Sequence, residues 1–134
     1  MITEKIKAFA EGIRVAFVAS SDKSGMPHLA AFTGLTVADS RHIVFSEWFC
    51  PKTIENLAGN PTVAVAVLDS ATGKGYQFVG MVEKTSDIGI LNGYDADIVS
   101  RETPQVLYEL VVRVDTIMEF SHGVHTDRPL GLTE

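Results

Sequence analysis

The sequence predicts a mainly β fold, a six-stranded antiparallel split barrel of Greek-key type with a few short helices. Three observations support this prediction. Six runs rich in strand-forming residues are separated by short links dense in Gly, Pro, Asp and Ser. Helical spacing is clear at only two places along the chain. The chain has 134 residues, of which 46% are hydrophobic, so we interpret residues 1–134 as one domain with a single core.

The first third of the chain reads as a helix followed by three strands. Residues 3–11 place Ile6, Phe9 and Ala10 on one helical face, and Gly12 ends the pattern. Strands are predicted over residues 14–19, 27–37 and 42–46, because these runs lie between turn clusters at residues 20–25 and 38–41. The first two of these strands should form a hairpin.

The rest of the chain reads as one helix and three strands. The helix starts at Pro51 and stops at Gly59-Asn60-Pro61. Strands follow over residues 62–68, 76–84 and 106–120, and in the last of these the even positions are apolar: Tyr108, Leu110, Val112, Val114, Met118 and Phe120. Residues 88–103 are ambiguous and are interpreted as a short helix with loops. The tail, residues 121–134, lacks periodicity, and we expect it to need a partner surface to become ordered.

Composition excludes several functions. The formal net charge of −6 argues against a nucleic-acid surface or an anionic membrane surface. The longest apolar run, residues 63–68, is too short to span a bilayer, and the N-terminus is amphipathic rather than signal-like, so we expect a cytoplasmic protein. Cys50 is the only cysteine, which excludes an internal disulfide. His122 and His125 lack the further ligands of a zinc site, so no metal site is predicted.

The start of the second helix carries a lysine where a cation is unfavourable. A helix N-terminus has partial positive charge and unpaired N–H groups, so it favours anions. Pro51 puts Lys52 and Thr53 in the first turn, without an acidic residue before Glu55. An external phosphate bound by the N–H groups, the Lys52 ammonium and the Thr53 hydroxyl would explain this arrangement. A solvated lysine whose alkyl stem covers apolar surface explains it equally well.

Several short motifs in order resemble the pyridoxamine-phosphate-oxidase-like FMN-binding split barrels, in particular the small FMN-binding proteins of that superfamily. The likeness covers about residues 13–87, and the strand to Phe120 also fits. The motifs are Gly25-Met26-Pro27-His28, Val37-Ala38-Asp39, Ile43-Val44-Phe45, Pro51-Lys52-Thr53-Ile54-Glu55-Asn56-Leu57, Asn60-Pro61 and Gly75-Tyr76-Gln77-Phe78-Val79-Gly80.

The resemblance implies a homodimer that holds one FMN at each of two sites between the barrels. It assigns the FMN phosphate to Lys52, with Thr53 as the neighbouring hydroxyl, and it brings Gln77 to the flavin from the other subunit. It lays the ring along two strands, at Thr33, Gly34, Leu35 and Thr36 and at Val44, Phe45, Ser46 and Glu47. A barrel this small is filled by its own side chains, which also requires a ligand to bind outside it or between subunits. Small domains often gain stability by dimerising.

Each assigned residue also has a purely structural interpretation. Thr33 and Thr36 are ordinary strand residues, Gly34 could mark a bulge, and Gln77 could face solvent. Trp48 and Phe49 either shield a flavin ring or fasten the helix to the barrel.

The sequence departs from the oxidases proper at their phosphate sites. Those enzymes use an Arg-Lys pair where Pro51 precedes Lys52, and a C-terminal arginine motif where this tail offers only Arg128. We therefore do not expect pyridoxamine phosphate to be the substrate. No catalytic residue is predicted. The favoured function is an FMN-binding oxidoreductase that passes hydride or electrons between a small donor and the flavin. The alternatives are an electron carrier without enzyme activity and a deazaflavin- or haem-binding relative.

Overall fold

Strands dominate the structure, a computed structural model that describes residues 1–90 and 106–131. In chain order the elements are α1 (Glu4–Gly12), β1 (Val15–Ser21), β2 (Pro27–Thr33), β3 (Thr36–Asp39), β4 (His42–Trp48), α2 (Pro51–Gly59), β5 (Thr62–Asp69), β6 (Lys74–Ile90) and β7 (Val106–Ser121). The strands form one sheet of order β2-β1-β5-β6-β7-β4-β3, and every pair is antiparallel. The predicted fold class is confirmed.

The structure has seven strands where the sequence predicts six, because the run over residues 27–37 breaks into β2 and β3. The break lies at Gly34, whose φ of 80° is in the left-handed region that favours glycine. After this turn the chain leaves β1 and pairs with β4 instead. β2 and β3 are therefore consecutive in sequence and yet form the two edges of the sheet, so the barrel stays open between them.

Both predicted helices form and both pack on the sheet. Thr3 caps α1 by accepting a hydrogen bond from the Ile6 N–H at 3.2 Å, and Ile6 and Ala10 are buried. At the other end of α1, the Glu11 carboxylate accepts from the Val37 N–H at 2.8 Å, so the helix is tied to the edge strand β3. α2 lies against β1, where the Asn56 amide donates to the Ser20 hydroxyl at 3.1 Å.

The prediction that β7 keeps one apolar face along its whole length is wrong. Leu110, Val112 and Val114 are buried in alternation, but the next buried residue is Ile117. The pairing with β6 steps from Val114 to Thr116, so Asp115 is an extra residue in β7. A β-bulge of this kind reverses which face later side chains occupy. Phe120, predicted to be buried, therefore lies on the outer surface with 36% of its area exposed.

The tail packs against its own chain. Pro129 forms a bridge with Met118, and the Leu130 N–H donates to the Ile117 carbonyl at 2.8 Å. The prediction that the tail needs a partner surface is therefore wrong for residues up to 131.

The segment that the sequence left ambiguous, residues 88–103, begins as strand and not as helix. Its first residues, 88–90, belong to β6, which runs to Ile90, and residues 91–103 lie outside the described residues. None of the described helices is long and apolar enough to cross a membrane.

Candidate functional site

A cavity opens between the end of β2 and the end of β4. We call it the seam cavity; it has a volume of about 790 Å³ and is lined by Val15, residues 31–34 and residues 46–50. One wall comes from the end of β2 and the turn at Gly34. The other comes from the end of β4 and the link to α2.

Phe32 and Trp48 line the seam cavity, and the buried Phe45 packs against both of them. The rings of Phe32 and Trp48 stack with their centroids 5.5 Å apart, and Phe45 meets both edge-on. The indole N–H of Trp48 donates to the Cys50 carbonyl at 3.1 Å, which fixes the ring and the link above it. Trp48 is only 1% exposed, so it both lines the cavity and fastens the start of α2 to the barrel. This part of the cavity lining is therefore apolar and rigid.

The side of the seam cavity formed by β2 offers main-chain polar groups. β2 pairs with β1 and with no second described strand, so half of its N–H and C=O groups have no partner in the sheet. Gly34 has no atom within 4 Å of where a side chain would begin, which leaves room for close approach to the backbone. A planar ligand with a polar edge could bond to these groups.

A β-bulge in β4 shapes the opposite wall. The pairing with β7 steps from Phe45–Leu110 to Trp48–Tyr108, so β4 has one residue more than its partner over this stretch. As a result Ser46 and Glu47 are both exposed, where regular alternation would have buried one of them. Both side chains line the seam cavity.

The N-terminus of α2 begins beside the seam cavity and has no side-chain cap. Cys50 occupies the cap position and makes no capping hydrogen bond, and the first turn holds no acidic residue. The N–H groups of this turn thus remain available to an anion. The Cys50 thiol instead lies 3.2 Å from Nε2 of His28 on β2.

A second cavity, the helix groove, lies between α2 and the β1–β2 turn. It has a volume of about 420 Å³ and is lined by residues 22–24, Lys52, Glu55, Asn56, Ala58 and Gly59. The Lys52 ammonium lies 3.4 Å from the Glu55 carboxylate. The Asp22 carboxylate accepts from the Ser24 hydroxyl and from the N–H groups of Met26 and Ser24, which holds its pKa below the usual range.

Comparison with known proteins decides the family. Residues 2–115 match the model of a protein family described as pyridoxamine 5'-phosphate oxidase. The chain belongs to this family. No functionally curated protein matches the sequence.

Solved structures similar to this member of the oxidase family share its fold. HupZ from Group A Streptococcus superposes with a TM-score of 0.69 at 22% identity, over 94% of this chain and 99% of HupZ. An FMN-binding protein from Syntrophomonas wolfei gives 0.65 at 16% identity, over 92% of this chain and 87% of that one. An F420 reductase gives 0.61 at 19% identity, over 86% and 97%.

Six of the residues that the sequence assigns to the ligand in this oxidase-family chain line the seam cavity: Thr33, Gly34, Ser46, Glu47, Trp48 and Phe49. Val44 and Phe45 do not line it. Leu35 is buried at the start of β3, and Thr36 next to it is exposed, but neither lines the cavity. Lys52 lines the helix groove. Thr53 is fully buried under α2, and its hydroxyl has no hydrogen-bond partner among the described residues.

Gln77 lies on a different surface, which we call the apolar face. This shallow hollow of about 370 Å³ is on the outside of the sheet and is lined by Phe17, Ala19, Leu29, Ala64, Ala66, Leu68, Gln77 and Phe120. Leu29 is 64% exposed and Phe17 is 40% exposed. Such side chains are costly to leave in water when they are contiguous.

Sequence reasoning missed four lining residues: Val15, Ala31, Phe32 and Cys50. For Val15 and Ala31 the missing signal was the strand alternation, which places both on the outer side of the β1–β2 pair. Cys50 could have been included, because it directly follows Phe49, which the sequence already brings into consideration. Among the described residues, no group of three His, Cys, Asp or Glu side chains is placed to hold a metal ion.

Proposed function

We propose that this protein is a flavin-dependent oxidoreductase that binds FMN in the seam cavity and passes hydride or electrons between a small donor and the flavin. The observation that carries this proposal is the seam cavity itself, an opening between the ends of β2 and β4 that the stacked rings of Phe32 and Trp48 line. Membership of the pyridoxamine 5'-phosphate oxidase family supports it. So does the similarity to a protein named as FMN-binding.

The residues present fit a flavin. The edge of β2 offers main-chain groups to the polar side of the ring, and Gly34 leaves space for its approach. The uncapped N-terminus of α2 and Lys52 suit a phosphate. Thr53 follows Lys52 in the same turn, and its buried hydroxyl has no hydrogen-bond partner among the described residues. Bound FMN would supply the redox chemistry, and the chain would bind it, orient it and set its electrostatic surroundings.

The proposed functional unit is a homodimer in which the apolar face is covered by a second copy. The seam cavity and the apolar face are adjacent, because Val15 lines the first while Phe17 and Ala19 line the second on the same side of β1. On β2, Ala31 likewise lines the seam cavity and Leu29 lines the apolar face. A copy docked on the apolar face would therefore reach the rim of the seam cavity. Gln77 would lie at this interface.

An electron carrier without enzyme activity is the second candidate. The observation that favours it is the chemistry of the cavity wall, in which only Glu47 and Cys50 carry titratable side chains. Flavin reduction by a hydride donor needs no protein acid or base, so this observation does not separate the two functions by itself. Stopped-flow mixing with NADH and NADPH separates them: saturable reduction supports the enzyme, and no reaction with either supports the carrier.

The test of flavin binding starts with protein purified without added cofactor. Its visible spectrum and the released small molecule should identify FMN, and a deazaflavin, suggested by the similar F420 reductase, would differ in both. Flavin-free protein should bind added FMN, with quenching of the single tryptophan, Trp48. Colourless protein that binds no FMN would refute the proposal.

A matched pair of variants locates the binding site. Gly34 and Gly25 both have positive φ, of 80° and 91°, and open space around them, so valine costs similar backbone strain at each. Only Gly34 lines the seam cavity. Gly34→Val should abolish FMN binding while Gly25→Val retains it. Equal FMN affinity in the two folded variants would place the ligand elsewhere.

A further inference from the structure

One wall of the seam cavity carries a single formal charge. Of its lining residues only Glu47 is charged, and the remainder are apolar or carry hydroxyl, thiol or main-chain groups. Lys52, the nearest lysine in sequence, lines the helix groove and pairs with Glu55 at 3.4 Å. A ligand group that lies next to Glu47 therefore meets negative charge, in contrast to one at the N-terminus of α2.

The bulge in β4 is what directs Glu47 to this cavity. In a regular strand Glu47 and Phe45 would share the inner face, because side chains alternate. The extra residue between Phe45 and Trp48 turns Glu47 outward beside Ser46, while Trp48 returns to the core. Bulges often re-aim side chains next to functional sites. Among the described residues no ion pair or side-chain hydrogen bond occupies the Glu47 carboxylate.

We propose that Glu47 makes its own part of the seam cavity selective for ligand groups that carry or develop positive charge over anionic groups at the same position, whereas the phosphate of the proposed FMN lies at the N-terminus of α2. The inference rests on the proposed function only in taking the seam cavity as the ligand site. Glu47 is exposed at the cavity wall, so its charge acts mainly on ligand groups that bind next to it. The carboxylate attracts cationic groups near it and repels anionic groups.

This selectivity names a substrate class for the proposed reaction. When a dihydropyridine or an amine gives a hydride to an oxidised flavin, its C–H bond breaks, two electrons and the hydrogen leave together, and positive charge remains on the donor nitrogen. A carboxylate in the wall stabilises that developing charge. Donors whose oxidised form is cationic are therefore favoured over donors that carry a carboxylate at the same position.

Three probes of nearly equal shape test the charge preference directly. They are 1-methylnicotinamide, which is cationic, nicotinamide, which is neutral, and nicotinate, which is anionic. Binding to flavin-free protein is followed by quenching of Trp48. We expect the native chain to bind the cation about tenfold more tightly than the anion, with the neutral probe between them. Absence of a preference, or no binding of any probe, would overturn the inference.

Matched variants assign the preference to Glu47. Glu47→Gln should remove it and Glu47→Lys should reverse it, and both replace an exposed side chain, so the fold should persist. Glu55→Gln removes an exposed carboxylate from the helix groove and should leave the preference unchanged. An unaltered cation preference in Glu47→Gln would refute the assignment.

Failure of this inference is distinguishable from failure of the proposed function. The probe titrations need no flavin, so a chain that selects cations through Glu47 and binds no FMN keeps the inference and loses the flavin proposal. In flavin-loaded protein, Glu47→Gln should raise the midpoint potential, because removal of a negative charge favours the reduced, anionic flavin. A midpoint potential of Glu47→Gln equal to that of the native chain would contradict the proposed effect of the Glu47 charge on the ligand.

Discussion

The Cys50 thiol and Nε2 of His28 lie 3.2 Å apart and join the start of α2 to β2. His28 points to the inner side of β2, whereas Cys50 lines the seam cavity and is half-buried. The pair thus links β2 to the Cys50 side of the cavity through a single side-chain contact. The only thiol of the chain therefore lies in the wall of the seam cavity.

Cys50 should therefore report occupancy of the seam cavity. We expect iodoacetamide to modify Cys50 more slowly in the presence of FMN, in proportion to the fraction of protein that holds the ligand. Mass spectrometry of the labelled chain measures the rate. The same labelling in guanidinium chloride is the control, since FMN should have no effect there. Equal rates with and without saturating FMN in folded protein would mean that the ligand binds elsewhere.

Lys52→Ala tests which group holds the phosphate. Loss of a charge-assisted hydrogen bond should weaken FMN about tenfold to hundredfold. Riboflavin, which lacks the phosphate, should bind with little change. Titrations of both ligands measure the difference, and Lys5→Ala, an exposed lysine on α1 outside both cavities, is the control. Equal losses for FMN and riboflavin would exclude Lys52 as the phosphate partner.

Phe17→Glu tests the proposed dimer. Phe17 lines the apolar face and is 40% exposed in the single chain, so a second copy docked there would bury it. A glutamate there would leave an unpaired charge in the interface, and the variant should sediment as a monomer. Val124→Glu changes an equally apolar residue that is fully exposed away from this face and should leave the native association unchanged. A dimeric Phe17→Glu variant would move the interface elsewhere.

His42 should make the stability of the fold depend on pH. Its two ring nitrogens donate hydrogen bonds to the carboxylates of Asp39 at 2.8 Å and Glu83 at 2.6 Å, and these contacts, the one with Asp39 first, raise the pKa of His42. Because the folded pKa exceeds the unfolded value of about 6.5, the stabilisation is complete below that pH and is lost as pH rises through the folded pKa.

Thermal unfolding of His42→Asn measures this effect. We expect the variant to unfold about 1–4 °C below the native chain at pH 5.5 and with a much smaller deficit at pH 9. Glu83→Gln removes one of the two carboxylates and should reduce the difference between the two pH values. A deficit of the same size at both pH values would show that His42 acts only through neutral contacts.

Gly80 should tolerate no side chain. A methyl group there would overlap the carbonyl oxygen of Arg113 on the neighbouring strand β7. Gly80→Ala must therefore push two central strands apart, and we expect it to lower the free energy of unfolding by about 2–3 kcal/mol. Gly12→Ala is the control, because nothing lies within 4 Å of that position. Urea denaturation measures the free energy of unfolding of both variants. Equal values for Gly80→Ala and Gly12→Ala would contradict the close approach of β6 and β7 at Gly80.

Local patterns predicted most of the fold. The helix starting at Pro51, the N-terminal helix and the strands were found because capping residues, alternation and turn clusters act over a few residues. The break at Gly34 was missed because a glycine inside an apolar run reads equally well as a bulge. The bulge at Asp115 was missed because it is defined by pairing with β6, which a single strand does not reveal.

The sequence predicted the part of the candidate site that lies in short continuous segments. Thr33, Gly34, Ser46, Glu47 and Trp48 lie together because they end β2 and β4, which the resemblance already assigned to the ligand. The contact of His28 with Cys50 joins residues far apart in sequence, and no local pattern encodes it. Val15 enters the site through its pairing with Thr33, which likewise needs the sheet register.

The tie between Glu11 and Val37 has a consequence for solubility. Both sheet edges could template pairing with other chains, and this is how edge strands nucleate aggregation. β3 is only four residues long, and the Glu11 carboxylate already occupies its Val37 N–H, so that edge is blocked. Among the described residues, no comparable side-chain hydrogen bond covers the free edge of β2. Only a ligand in the seam cavity would cover it. Preparations stripped of ligand should accordingly precipitate sooner on storage than loaded ones.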